Sequence, residues 1–92
     1  MTDMHIINNP HEHRFETSVD GHLAYVEYRL SDGVITLTHT EVAPALEGKG
    51  IAGKVAAYAL DYARDHQLKV VPSCPYIASY IKRHPEYEPL IG

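Results

Sequence analysis

The chain has 92 residues, 45% of them apolar and 22% charged, with a formal net charge of -4. That length supports one domain with one core, and the acidic balance excludes nucleic acid or an anionic membrane surface as the main partner, because both demand a basic footprint. The single cysteine, Cys74, excludes an internal disulfide and a multi-cysteine zinc site, and a free thiol suits a reducing compartment such as the cytoplasm.

The opening MTDMHIINNPHEHRF has no basic region followed by an apolar stretch. No window approaches the roughly 20 apolar residues of a membrane span. A single cytoplasmic domain over residues 1–92 is therefore expected, with residues 1–12 as a flexible lead-in.

RFETSV at 14–19 is short and β-rich, and Asp20-Gly21 after it is a hairpin-type turn. HLAYVEYRL follows as a strand, with Ala24, Val26, Tyr28 and Leu30 on one face and Leu23, Tyr25, Glu27 and Arg29 on the other. Ser31-Asp32-Gly33 is a second turn, and VITLTHTEV is a third strand rich in β-branched residues. An antiparallel three-strand meander is the expected start.

The period then changes. From Gly50 to His66 the apolar positions follow a helix, with Ile51, Val55, Tyr58 and Tyr62 in one stripe flanked by Ala52, Ala56, Ala59 and Ala63. So broad an arc, rich in alanine, predicts close approach to a sheet. LKVVPS is then read as a fourth strand parallel to VITLTHTEV, because a strand, helix and strand in succession make a right-handed crossover. Pro72 should end its pairing. Pro75 opens a second, short helix over PYIASYIKRH, Pro85 ends it, and EYEPLIG can only pack back or pair at an edge. The expected fold class is α/β.

The functional signal lies in EGKGIAG, residues 47–53, where three glycines and Lys49 separate the third strand from the first helix. A strand feeding a glycine-rich turn into a helix suits phosphate, because free backbone amides and the positive helix end both face an anion. The bland alternative is a tight turn that holds nothing. Neither G-x-x-x-x-G-K-[ST] nor a complete G-x-G-x-x-G is present, which excludes the commonest nucleotide motifs.

EGKGIA resembles the pyrophosphate-binding signature Q/R-x-x-G-x-G/A of the GNAT N-acetyltransferases, with Glu47 first, Gly50 fourth and Ala52 sixth. HTEV at 39–42, VVPSCPYIASYI at 70–81 and RHPEY at 83–87 are similar to the minimal single-domain branch of that superfamily, so the resemblance covers nearly the whole chain. It implies a minimal GNAT-like fold whose two parallel strands splay around acetyl-coenzyme A. It also implies cofactor contacts from Val42, Glu47, Gly48, Lys49, Gly50, Ile51, Ala52 and Gly53, the last keeping the first helical turn close to the sheet or the cofactor.

Two departures stand out. Glu47 replaces the usual glutamine or arginine, so its carboxylate must point away from a diphosphate or find a cation. The chain also lacks the early helical segment that helps ordinary members build an amine pocket.

Cys74 is expected at a helix N-terminus, a setting that favours thiolate, and near the carboxyl ends of the parallel strands, where such sheets bind ligands. It either accepts the acetyl group as a nucleophile or only lines the thioester end of the site. His39, expected on the same strand face as Ile35 and Leu37, is either a base for an amine or for Cys74, or a hydrogen-bonded histidine at the edge of the core. Glu41, two residues on, orients it or is itself the base. The resemblance implies that Tyr80 protonates the departing thiolate, although a core tyrosine is the alternative. Lys82 and Arg83 are phosphate contacts or simply a solvated helix end.

His11 and His13 lack the further ligands that a metal site needs, so no metal is expected. The leading expectation is an acetyl-coenzyme A-dependent N-acetyltransferase for a small-molecule or protein amine, as a monomer or weak homodimer. The alternative is a coenzyme A-binding module or sensor with little turnover.

Overall fold

Asp20-Gly21 and Asp32-Gly33 each adopt two consecutive positive φ angles, 52° and 79°, then 51° and 77°, as a tight hairpin matched to strand twist requires. In the computed structural model, which describes residues 5–91, they join β2 (Arg14–Val19), β3 (His22–Ser31) and β4 (Val34–Val42) into the expected antiparallel meander. The helix α1 (Ile51–Asp65) then crosses to β5 (Lys69–Pro72), which lies parallel to β4, and α2 (Pro75–Arg83) closes the order.

The sheet has a further strand, β1 (Ile7–Asn9), giving five in sequence order. Its residues INN show no pattern of their own; β2 recruits them, pairing Ile7 with Glu16 and Asn9 with Arg14. Tyr28 Oη donates to Asn8 Oδ1 at 2.7 Å and Thr17 Oγ1 to the His5 carbonyl at 2.8 Å, tying the segment down. The part of the expected lead-in at residues 1–4 lies outside the described residues.

Phe15, Ala24, Val26, Tyr28, Ile35 and Leu37 form the buried face of the sheet. Leu30, expected among them, is exposed near the end of β3. Burying a side chain such as Phe15 contributes about 1.5–3 kcal/mol. The helices cover this face, and Ile77 and Ile81 of α2 join the same core.

On α1 the buried arc is Ile51, Val55, Ala56, Ala59, Leu60 and Ala63, turned toward the alanines relative to the stripe expected from the sequence. Small side chains let the helix axis approach the sheet. Tyr58 and Tyr62 are displaced to the rim, where their rings meet Phe15 at 5.7 and 5.1 Å and their hydroxyl ends stay near water.

β4 carries one residue too many. Glu27 pairs with His39 and Tyr28 with Leu37, which leaves Thr38 as a bulge. Because side chains alternate with a period of two, the extra residue inverts the faces beyond it. Thr40 and Val42 therefore join the side of Ile35 and Leu37, opposite Val26 and Ala24, while His39 and Glu41 point to the helix-free face. The expectation that His39 and Glu41 continue the Ile35–Leu37 face is corrected by this bulge.

The β4–β5 pairing ends at Pro72, opposite Leu37, as expected, and Cys74 N–H then reaches the Leu37 carbonyl. The tail also pairs at an edge: Ile91 bridges Val70, and the 3-10 helix Pro85–Leu90 brings Tyr87 Oη to 2.9 Å from Asp61 Oδ1 on α1.

Two stability predictions follow from α1. A methyl group at Gly53 would lie 3.6 Å from both the Tyr76 hydroxyl oxygen and the Tyr80 ring. That is ordinary contact, and the glycine faces α2 rather than the sheet. Gly53→Ala should therefore raise stability by about 0.5 kcal/mol through helix propensity, measured as a later urea midpoint.

Burial and the hydrogen bond to Asp61 push the Tyr87 phenol up to about 12. Since the folded state holds this proton more tightly than the unfolded chain, its contribution is complete below pH ~10 and is lost as pH rises through ~12. Tyr87→Phe should lower stability at pH 7 yet flatten the fall in stability between pH ~10 and ~12, read by denaturant titration across that range.

Candidate active site

The absence of a β5 partner beyond Leu37 leaves residues 38–42 of β4 as an open edge, and three segments converge there. β4 supplies Thr40, Glu41 and Val42; the connection to α1 supplies Leu46, Glu47, Gly48 and Gly50; Ile51, Ala52 and Tyr76 complete the wall. The cleft they enclose measures about 370 Å³, within the range of roughly 300–1,000 Å³ usual for small-molecule sites.

Gly48 and Gly50 have φ of 80° and 73°, and nothing lies within 4 Å of where their side chains would be. The left-handed backbone alone therefore accounts for both glycines, and the space beside them is open. Gly50 caps α1 without a side-chain hydrogen bond, and the first turn holds no acidic residue. Lys54 N–H is the donor to the Gly50 carbonyl, so the amides of Ile51, Ala52 and Gly53 precede the helical ladder and have no intrahelical acceptor. Together with the helix dipole they form an anion-binding end without any cationic side chain.

Glu47 lines this cleft and has no ion-pair partner among the described residues. Lys49 is exposed and contributes nothing to the lining. Lys82 and Arg83 are exposed in the last turn of α2, at the end away from Cys74, and do not line the cleft. A diphosphate here would meet backbone amides and one carboxylate.

Cys74 is the N-cap of α2, as its place before Pro75 implied. Its N–H donates to the Leu37 carbonyl at 2.9 Å, and its carbonyl accepts from Ala78 N–H at 3.0 Å. Cys74 is 5% exposed and its sulfur lies 3.4 Å from Thr40 Oγ1. Burial pushes the thiol up, but hydrogen bonds from the Thr40 hydroxyl and from the backbone of Ile77, Tyr76 and Thr40 outweigh it, so the net shift is downward. The result is a sheltered thiol with a lowered pKa that does not itself line the cleft but lies behind Thr40, which does.

His39 and Glu41 do meet, with Nε2 and Oε1 2.8 Å apart. They do so on the helix-free face, where the His39 ring lies 6.5 Å from that of Tyr25 and the Arg14 guanidinium sits 4.6 Å above the Tyr25 ring. Glu41 reaches the cleft lining, whereas His39 does not and makes no hydrogen bond to Cys74. The bulge thus separates this pair from the thiol.

Tyr80 is buried off the cleft, stacked on the His84 ring at 4.0 Å and packed against Gly53, with burial raising its phenol. Tyr76, one turn earlier, is the tyrosine that lines the cleft. Tyr76, Thr40 and the apolar Leu46 are the lining residues that sequence reasoning missed. Tyr76 was visible as the aromatic two places after Cys74, but Thr40 could not be placed without the bulge. Among the described residues no three His, Cys, Asp or Glu side chains gather as metal ligands, and no helix is long and apolar enough to cross a membrane.

Comparison with known proteins places the whole fold in a family. The GCN5-related N-acetyl-transferase family model matches residues 14–90, from the first residue of β2 to the end of the last 3-10 helix. Protein NATD1 of Mus musculus is 42% identical over 52 residues, covering 56% of this chain and 47% of the relative. Protein NATD1 of Danio rerio is 34% identical over 76 residues, covering 80% and 68%. In most of these curated relatives the match spans about half of their length.

A GCN5-like protein of Staphylococcus aureus, solved by NMR, superposes with a TM-score of 0.76 at 26% identity, over 100% of this chain and 91% of that one. The glycine turn, the open β4 edge and the crossover to β5 all fall inside the matched span, and the chain belongs to the GCN5-related N-acetyltransferase family.

Proposed function

We propose that the cleft binds acetyl-coenzyme A and that the protein transfers its acetyl group to an amine, with Cys74 at the reacting end. The observation that carries this reading is the free amide end of α1 opening onto the same cleft as the unpaired edge of β4. The amides of Ile51, Ala52 and Gly53 hold the pyrophosphate, and the peptide groups near Val42 hold the pantetheine arm. Lys49, Lys82 and Arg83 act at most through long-range attraction, since none lines the cleft.

The bound donor supplies an activated acetyl thioester. Cys74 thiolate attacks its carbonyl carbon, forming a new thioester to Cys74 as the bond to the coenzyme A sulfur breaks. A proton from the Tyr76 phenol, in the place first assigned to Tyr80, neutralises the leaving thiolate. The amine then attacks the Cys74 thioester, and Glu41, at the cleft rim with His39 behind it, takes the amine proton. The acceptor is a small-molecule or protein amine. A buried free thiol also supports a cytoplasmic setting.

A second reading is favoured by one specific observation. No base contacts Cys74, because His39 and Glu41 lie on the other face of the sheet. On that reading the chain is a coenzyme A-binding module or sensor without turnover.

Incubation with acetyl-coenzyme A followed by intact mass measurement separates the two: one acetyl adduct in the wild type, absent in Cys74→Ala, is the expected result. Persistence of the adduct in Cys74→Ala would sink the covalent route, and calorimetry showing no coenzyme A binding would sink both readings. Glu47→Gln removes the carboxylate from the cleft and should tighten coenzyme A up to about fivefold, the scale of one exposed charge interaction. The gain should shrink with added salt.

A further inference from the structure

Cys74 has one side-chain hydrogen-bond partner, and a chain irregularity delivers it. In unbroken alternation Thr40 would share the helix-free face with Thr36 and Thr38; the bulge at Thr38 turns it inward, to 3.4 Å from the Cys74 sulfur. Thr40 also lines the cleft, so the hydroxyl stands between the solvent side and the buried thiol. Resting on the reading of Cys74 as the reacting group, we propose that Thr40 is a positioning residue: its hydroxyl donates to the Cys74 sulfur, fixing it behind the cleft lining in its anionic, reactive form.

The surroundings assign this role to hydrogen bonding rather than to charge. On β4, His39 and Glu41 face away from the thiol. On α2, Tyr76 and Tyr80 contribute phenols, and the backbone of Tyr76 and Ile77 reaches the sulfur. On β5, Lys69 is exposed at the start of the strand, and on α1, Lys54 is exposed. On the cleft lining stand Glu47 and Glu41, and Lys49 is exposed outside it. A sulfur held by a hydroxyl and amides keeps its nucleophilicity while losing solvent, as a preorganised group should.

Because Cys74 is the chain's single cysteine, alkylation by iodoacetamide reports on it alone and needs no acetyl-coenzyme A. Its rate would be followed against pH in the wild type, Thr40→Val, Thr40→Ala and Thr40→Ser. The midpoint should move up by about one pH unit in Thr40→Val and Thr40→Ala, the scale of one hydrogen bond to a charged group, and stay near the wild type in Thr40→Ser. A change in accessibility alone alters the plateau rate at high pH without moving the midpoint. The proposal is overturned if Thr40→Val and Thr40→Ala, or whichever of them folds, titrate like the wild type, or if Thr40→Ser shifts as far as they do. A positive result here beside a negative acetyl-adduct test would keep Thr40 as the group that holds the Cys74 sulfur and remove transfer through Cys74.

Discussion

The candidate site depends on β4 outlasting its parallel partner. Pairing stops at Pro72, opposite Leu37; Cys74 N–H makes a last link to the Leu37 carbonyl and the chain turns into α2, while β4 continues through residues 38–42. A strand edge with unpaired peptide groups is a liability in most sheets. Here it is turned inward between two helix starts, where a ligand can satisfy it. Had β5 run on in register, the cleft wall would be sheet and the thiol would have no approach.

The bulge at Thr38 acts on the same stretch. One extra residue exchanges the faces of four side chains, bringing Thr40 and Val42 to the core side and sending His39 and Glu41 out. The inward pair is smaller and less charged than the outward pair, which is what the end of an apolar core tolerates. The outward pair finds partners in the polar row around Tyr25 and Arg14. The site thereby acquires a neutral hydroxyl beside the thiol, with Glu41 at its rim.

Both helices begin where β4 is open: α1 at Gly50 and α2 at Cys74. Two positive dipole ends and several free amides therefore converge in a chain whose net charge is -4. That removes the apparent conflict between an acidic protein and the anionic ligand proposed for it, because the attraction is supplied by backbone geometry and acts within about one helical turn. Glu47 remains the one opposing charge on the cleft lining beyond Glu41, and its extended backbone just after the short 3-10 helix Pro44–Leu46 leaves it exposed to water.

The sequence by itself determined the elements with a strong local cause. The Asp-Gly pairs fixed the hairpins, alternation fixed β2, β3 and the first half of β4, the helical period fixed α1, and Pro75 fixed the start of α2. The glycine loop and the position of Cys74 were legible for the same reason, since each is written within a few consecutive residues. Tertiary structure decided what no local pattern encodes. β1 exists only because β2 offers it an edge, and the tilt of α1 toward its alanines is a matter of how close the sheet can come. The bulge at Thr38 has no glycine or proline to announce it, so the faces of His39, Thr40 and Glu41 could not be read in advance. Whether Tyr76 or Tyr80 meets the cleft depends on how α2 packs against α1. These are packing choices among residues distant in sequence, and they become determinate only when the whole sheet and both helices are in place.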